Sequence, residues 1–181
     1  MQINKLVIDI AFELGADLIG IAKIEEYNSL PPELQPANIL PTGKTVICYA
    51  LAQLRGALNA AESGLFKQAL HFDSEFFLEQ IEGPRIGRQI VRVIEDAGYM
   101  SSRIQSMKGK NVTAPRKTRA EHLTPPNAYV EINQMAAGCG LGKLMANGQF
   151  ITPEFGAAQK IFCIITEAEL TPSRFSWKDR L

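Results

Sequence analysis

Residues 135–170 read MAAGCGLGKLMANGQFITPEFGAAQKIFCIITEAEL. A helix-like stretch enters a glycine cluster (Gly138, Gly140, Gly142), a loop with Thr152-Pro153-Glu154-Phe155-Gly156 follows, and residues 160–166 form an apolar strand. Three glycines in five residues cost conformational entropy on folding, so the cluster needs a reason. Two readings stand: a helix C-cap followed by a tight turn, or a backbone wall whose bare amides approach a large planar cofactor. Nucleotide loops are excluded. A P-loop fails because Ala137 stands five residues before Gly142 and Leu144 follows Lys143; GxGxxG fails because Lys143 replaces the third glycine and a helix, not a strand, precedes the cluster.

Working outward, Ile3, Leu6, Val7, Ile10, Ala11 and Leu14 recur at helical spacing, and Gly15 is placed to stop that helix. Residues 17–24 read as a strand, and residues 25–43, with four prolines, as an extended connection. The continuous apolar run over 46–52 is expected to be a strand covered on both faces. A second helix is expected over 62–80, with Gly83-Pro84 breaking the chain before a third. That third helix carries Ile86, Ile90, Val93, Ile94 and Ala97 on one face and ends at Gly98. Residues 99–105 suggest a short strand and 127–137 a fourth helix. Alternating helices and buried strands predict an α+β, three-layer sandwich, with a central mixed sheet flanked by helices in a single domain over 1–181.

With 46% hydrophobic and 21% charged residues and zero net charge, the composition is that of one globular domain, and no global charge draws it to nucleic acid. No apolar run reaches the roughly 18 residues of a membrane helix. The amphipathic start, with Asp9 and Glu13, is unlike a signal peptide, so a cytoplasmic protein without a membrane partner is expected. The three cysteines, Cys48, Cys139 and Cys163, form no CxxC pair, which argues against an iron–sulfur cluster or zinc ribbon built by this chain. Cys48 and Cys163 lie in apolar runs and read as small hydrophobes; Cys139 lies among the glycines.

The stretch 101–120 carries Arg103, Lys108, Lys110, Arg116, Lys117 and Arg119 with no acidic residue. A basic loop over 101–126 is expected, either solvated and mobile or a lip for phosphate groups. His71 and His122 have no metal-ligand spacing around them. Tyr129 and Glu131, just before the glycines, are the candidate acids, with packing and helix-surface solvation as the plain alternatives.

Taken together, Ala136-Ala137-Gly138-Cys139-Gly140-Leu141-Gly142, Ile151-Thr152-Pro153-Glu154-Phe155-Gly156 and Ile164-Ile165-Thr166-Glu167-Ala168-Glu169-Leu170 resemble the core of the epoxyqueuosine reductase family and its reductive dehalogenase relatives. Those proteins show an AGLG element, a [LI]TPE[FY]G element and a strand ending in [LI]TD, in that order. Leu40-Pro41-Thr42-Gly43-Lys44 and Arg55-Gly56-Ala57-Leu58 fit as well. The resemblance implies a nitroreductase-like fold that binds cobalamin or another corrinoid. It implies a cofactor wall of Gly138, Cys139, Gly140, Leu141, Gly142, Thr152, Phe155 and Gly156, with Lys143 and Asn147 beside it. Tyr129 and Glu131 then become the possible proton donors of an oxidoreductase. The family's ferredoxin module, CxxCxxCxxxCP, is not in this sequence, so a ferredoxin-type electron donor is implied as a partner alongside a small-molecule substrate. No aspartate occurs between Ala97 and Leu170, where epoxyqueuosine reductases carry their catalytic one, Cys139 stands where alanine is usual and Glu167 replaces an aspartate. A tRNA partner is the weaker implication. The alternatives are a flavin (FMN) enzyme of the nitroreductase type, its phosphate held by the basic residues, and a non-catalytic corrinoid carrier or partner subunit.

Overall fold

The computed structural model describes residues 2–64, 68–104 and 131–180. Helix α1 (Gln2–Glu13) buries Val7 and Ala11 and stops where expected: Gly15 has φ 104°, and the Ala16 N–H turns back to Ala11 O at 2.9 Å. Strands β1 (Leu18–Lys23) and β2 (Thr45–Ala52) follow, joined by three short 3-10 turns. Helix α2 (Arg55–Glu62) comes next. A turn of helix, α3 (Gln68–Leu70), then runs into a π-helical segment, His71–Glu82, and on into α4 (Gly83–Asp96). Strand β3 (Ser101–Ile104), helix α5 (Ile132–Gly138), the small hairpin β4 (Lys143–Leu144) and β5 (Phe150–Ile151), and strands β6 (Gln159–Thr166) and β7 (Ser173–Ser176) complete the chain.

Five strands form one sheet in the order β3-β6-β2-β1-β7. Central β2 is buried on both faces, as its apolar run predicts, and the period of two divides it. Ile47, Tyr49 and Leu51 pack with α1 and α4, whereas Val46, Cys48 and Ala50 pack with α5 and the segment after it. Helices therefore lie on both faces of the sheet, and the α+β layered sandwich is observed. On α4, Ile86, Ile90 and Ile94 recur at every fourth residue and are fully buried; each such side chain contributes about 1.5–3 kcal/mol.

Several details differ from the expectation. The sheet is not mixed: every strand pairing among the described residues is antiparallel. Between β1 and β2 the chain only turns back on itself, whereas a parallel neighbour requires a crossover. Strand 160–166 is not the last of the chain: β7 adds an edge beyond β1 that its short polar sequence, SRFS, gave no reason to expect. The helix expected over 62–80 is formed instead by α3 and the π-helical segment, and a separate helix, α2, precedes them at Arg55–Glu62. Gly83-Pro84 breaks nothing, since Glu82 and Gly83 are helical and the π-helical path enters α4 directly. Gly83 serves packing instead: a Cβ there would lie 2.0 Å from the Phe162 ring, which stacks on Tyr49. The extended connection 25–43 contains the 3-10 turns Ile24–Tyr27, Pro32–Leu34 and Pro36–Asn38. Of the basic loop, residues 101–104 belong to β3, and 105–126 lie outside the described residues.

Candidate functional site

The glycine cluster begins as the end of α5. Leu141 N–H bonds to Ala136 O at 3.0 Å and Gly140 N–H to Ala137 O at 3.0 Å, with Gly140 at φ 73°. This pair of bonds is the Schellman closure, in which a glycine supplies the left-handed residue and the next residue packs back on the helix. Leu141 accordingly joins Met135 and Ala136 in the core. The flanking glycines meet neighbours too closely for a side chain. A Cβ on Gly138 would lie 2.4 Å from the Tyr27 ring, and one on Gly142 2.2 Å from Ile151 O. The turn also lies directly on the sheet, because a Cβ on Gly20 of β1 would meet Cys139 O at 2.4 Å.

The second and third motifs are likewise held by internal bonds. Thr152 and Gly156 exchange backbone bonds at 2.9 and 3.0 Å, and Thr152 Oγ1 accepts from Phe155 N–H at 3.2 Å. That hydroxyl also lies 3.2 Å from Gln159 Oε1, to which it donates, while Gln159 Nε2 donates to Phe150 O at 3.1 Å. Glu154 pairs with Arg174. In the third motif, Thr166 Oγ1 donates to Met100 O at 3.2 Å and accepts from Ala168 N–H at 3.1 Å. Glu167 accepts from Met100 N–H at 3.0 Å. A Thr42 hydrogen bond, then that backbone bond, holds the Glu167 carboxyl below its ordinary range.

Beneath the turn lies a buried polar group. Tyr27 Oη donates to Met135 O at 2.7 Å and stands 3.3 Å from Cys139 Sγ, which is 3.5 Å from Val46 O. Burial pushes the Tyr27 hydroxyl and the Cys48 thiol strongly up. The same burial opposes the Cys139 thiolate, but hydrogen bonds from Cys48, Tyr27 and the backbone outweigh it and hold that thiol below the ordinary range.

On the outside, a cavity of about 400 Å³ opens between the first turn of α5, the tip of the β4–β5 hairpin and the start of β6. Asn133, Gln149, Gln159 and the Lys160–Glu79 ion pair supply its polar wall. Gln134, one residue along α5, has a buried Oε1 with no partner among the described residues. Of the ten residues expected to line a cofactor, Cys139, Leu141 and Thr152 are buried in the protein, while Gly138, Gly140, Lys143 and Asn147 are exposed. Phe155, Gly156 and Gly142 are half-buried. None of the ten lines the cavity, although Asn147 adjoins Gly148 and donates to Gln149 Oε1 at 3.3 Å. Glu131 is the N-cap residue of α5, adjoining the cavity-lining Ile132 and Asn133. Tyr129 lies outside the described residues. Sequence reading missed Gly20 and Tyr27. An isolated glycine within a strand pattern does mark close backbone approach, whereas nothing around Tyr27 distinguishes it from any loop aromatic.

No protein-family model matches the sequence, and no curated protein does. Among solved structures the chain is similar to an epoxyqueuosine reductase from Streptococcus thermophilus, with 15% identity, a TM-score of 0.61, and coverage of 96% of this chain and 48% of that one. It is similar to an epoxyqueuosine reductase solved with a tRNA-Tyr stem loop, at 14% identity and TM-score 0.57, covering 95% and 47%. A reductive dehalogenase described as B12-dependent matches at 14% identity and TM-score 0.56, covering 94% of this chain and 20% of that one. The likeness is one of fold, and this chain spans about half the length of those reductases and a fifth of the dehalogenase.

Proposed function

We propose that this chain is a corrinoid-binding domain of a reductase, supplied with electrons by a separate ferredoxin-type donor. The observation that carries the reading is the three motifs occurring in family order within the fold of a B12-dependent enzyme. The described residues fit part of such a group. A corrinoid is rimmed with carboxamides, and Asn133 and Gln149 offer matching amides in the cavity. A cavity of about 400 Å³ holds only an edge of the macrocycle, so the rest would lie over the exposed turn at Gly140, Lys143 and Asn147. When bound, the group supplies a cobalt centre for reductive chemistry. The chain's own part is to seat the rim amides and to shield one face of the ring with the hairpin. Proton delivery belongs to Glu131 or Tyr129, of which Glu131 stands at the cavity's edge in sequence. A small molecule or a tRNA stem loop, as in one structural neighbour, is the proposed substrate class.

Cobalamin and FMN, titrated in parallel into the purified protein, test the reading. A ligand specific to the folded state at about 100 times its Kd adds about 2.7 kcal/mol, which for a chain of this length raises Tm by roughly 5–10 °C. Cobalamin is expected to produce that rise with a change in its absorption bands, and Asn133→Ala with Gln149→Ala to reduce it. A rise with FMN alone, or with neither, overturns the corrinoid reading.

A further inference from the structure

The chain's three cysteines, far apart in sequence, meet on one face of the sheet. Across the strands Gly20 lies opposite Cys48, and Cys48 lies opposite Cys163. Position 20 has no side chain, and Cys139 occupies the space: a Cβ built on Gly20 would lie 3.0 Å from Cys139 Cβ. Positions 20 and 48 are cross-strand partners, with Cβ positions roughly 4.5–5.5 Å apart, so Cys139 stands beside Cys48 on this face. All three cysteines pack in one buried cluster. A disulfide needs a Cβ separation of about 3.5–4.5 Å, which a shift of the Cys139 turn toward Cys48 must supply. Cys163 is fixed opposite Cys48 along two fully paired strands, whereas Cys139 rides on a turn held by two backbone hydrogen bonds. The three cysteine positions lie in a row across β1, β2 and β6, and no group of three among the described residues is placed to hold a metal ion.

We propose that Cys139 and Cys48 are a redox-active dithiol, oxidised to a disulfide by a low-molecular-weight disulfide of the glutathione type. Cys163 stays a free thiol. Cys139 is only 3% exposed, but it lies between the exposed Gly138 and Gly140 in a surface turn, so local opening of that turn presents it. Its thiolate attacks one sulfur of the external disulfide, forming a mixed disulfide and releasing one thiol. The Cys48 thiol, losing its proton to the departing thiolate, then attacks the Cys139 sulfur, forming the Cys48–Cys139 bond and releasing the second thiol. The two protein thiols lose two electrons and two protons, and the external disulfide gains them. The proposal does not rest on the corrinoid reading.

The reduced full chain, incubated natively with oxidised glutathione, is acid-quenched, denatured and alkylated, and its intact mass measured. The expected product carries one alkylated cysteine out of three and is lighter by two hydrogens before alkylation. Peptide mapping should join Cys48 to Cys139. Cys163→Ala should leave this unchanged, and Cys139→Ala should abolish it. Three alkylated cysteines, a persistent glutathione adduct, a Cys48–Cys163 link or a disulfide between chains overturns the proposal. If a variant fails to fold, the map of the unaltered protein decides.

Discussion

Gly20→Ala is the sharpest probe of how the glycine turn meets the sheet. The added Cβ would lie 2.4 Å from Cys139 O and 3.0 Å from both Cys139 Cβ and Leu141 Cδ2. The closest atom is backbone in a turn locked by two hydrogen bonds, not the tip of a flexible side chain, so the turn or β1 must move by roughly 1 Å to restore ordinary contact. Overpacking of this kind costs about 1–3 kcal/mol. Removing glycine's freedom from the unfolded chain returns about 0.4–1 kcal/mol. The net destabilisation is about 1–2 kcal/mol, or roughly 2–8 °C in Tm for a chain of this size. Gly56→Ala is the control, because its Cβ meets nothing within 4 Å and it lies in the first turn of α2. That change should leave stability level or raise it by up to about 1 kcal/mol. Urea and thermal melts of the two variants and the parent give the comparison, and alkylation of native Cys139 should quicken in Gly20→Ala as the turn lifts. A Gly20→Ala protein as stable as its parent, with Cys139 equally protected, would refute the close-packing account.

Tyr27→Phe removes a buried donor to Met135 O and a hydrogen-bond partner of Cys139. It should cost about 1 kcal/mol and raise the pH at which Cys139 alkylation reaches half its maximal rate; an unshifted profile counts against the contact. Glu167, lowered by Thr42 and then by the Met100 backbone, gives stability that is present above its ordinary value near 4.5 and is lost as pH falls through the lower folded value. Glu167→Gln should therefore flatten the fall in urea midpoint between about pH 7 and about pH 3.5. Parent and variant falling in parallel would show that the carboxylate makes no such contribution.

The elements most legible in the sequence are those whose burial repeats at one period. α1, β2 and α4 carry their apolar residues at helical or continuous spacing, and the structure places all three within a residue or two of expectation. What stayed hidden depended on contacts between distant segments. SRFS becomes a strand only because the edge of β1 is open to it, and Gly83 reads as a breaker until Phe162, far along the chain, needs its space. Cys48, Cys163 and Cys139 each read singly as a small hydrophobe or a turn residue. Their row exists only through the β1–β2–β6 register and the empty position at Gly20. For the candidate site, the motif stretch was legible as a unit, but not which of its side chains turn inward, since a one-residue change in helix or strand phase reverses that.

This division changes what each motif can be asked to do. Gly138, Gly140 and Gly142 are required by the Tyr27 ring, the Schellman closure and the Ile151 carbonyl; Thr152 caps its own loop; Thr166 and Glu167 tie β6 to the start of β3. All of these would be needed in this fold with or without a ligand. A ligand must instead be recognised by groups the fold does not consume. Gln159 is spent on Thr152 and Phe150, whereas Asn133 and the Gln149 amide nitrogen make no internal bond among the described residues. Substitutions at the glycines should therefore lower stability and any cofactor affinity together. Asn133→Ala and Gln149→Ala should lower affinity while leaving the urea midpoint where it is. Loss of stability at those two positions, or loss of affinity without instability at the glycines, would put the ligand on the turn and not at the cavity.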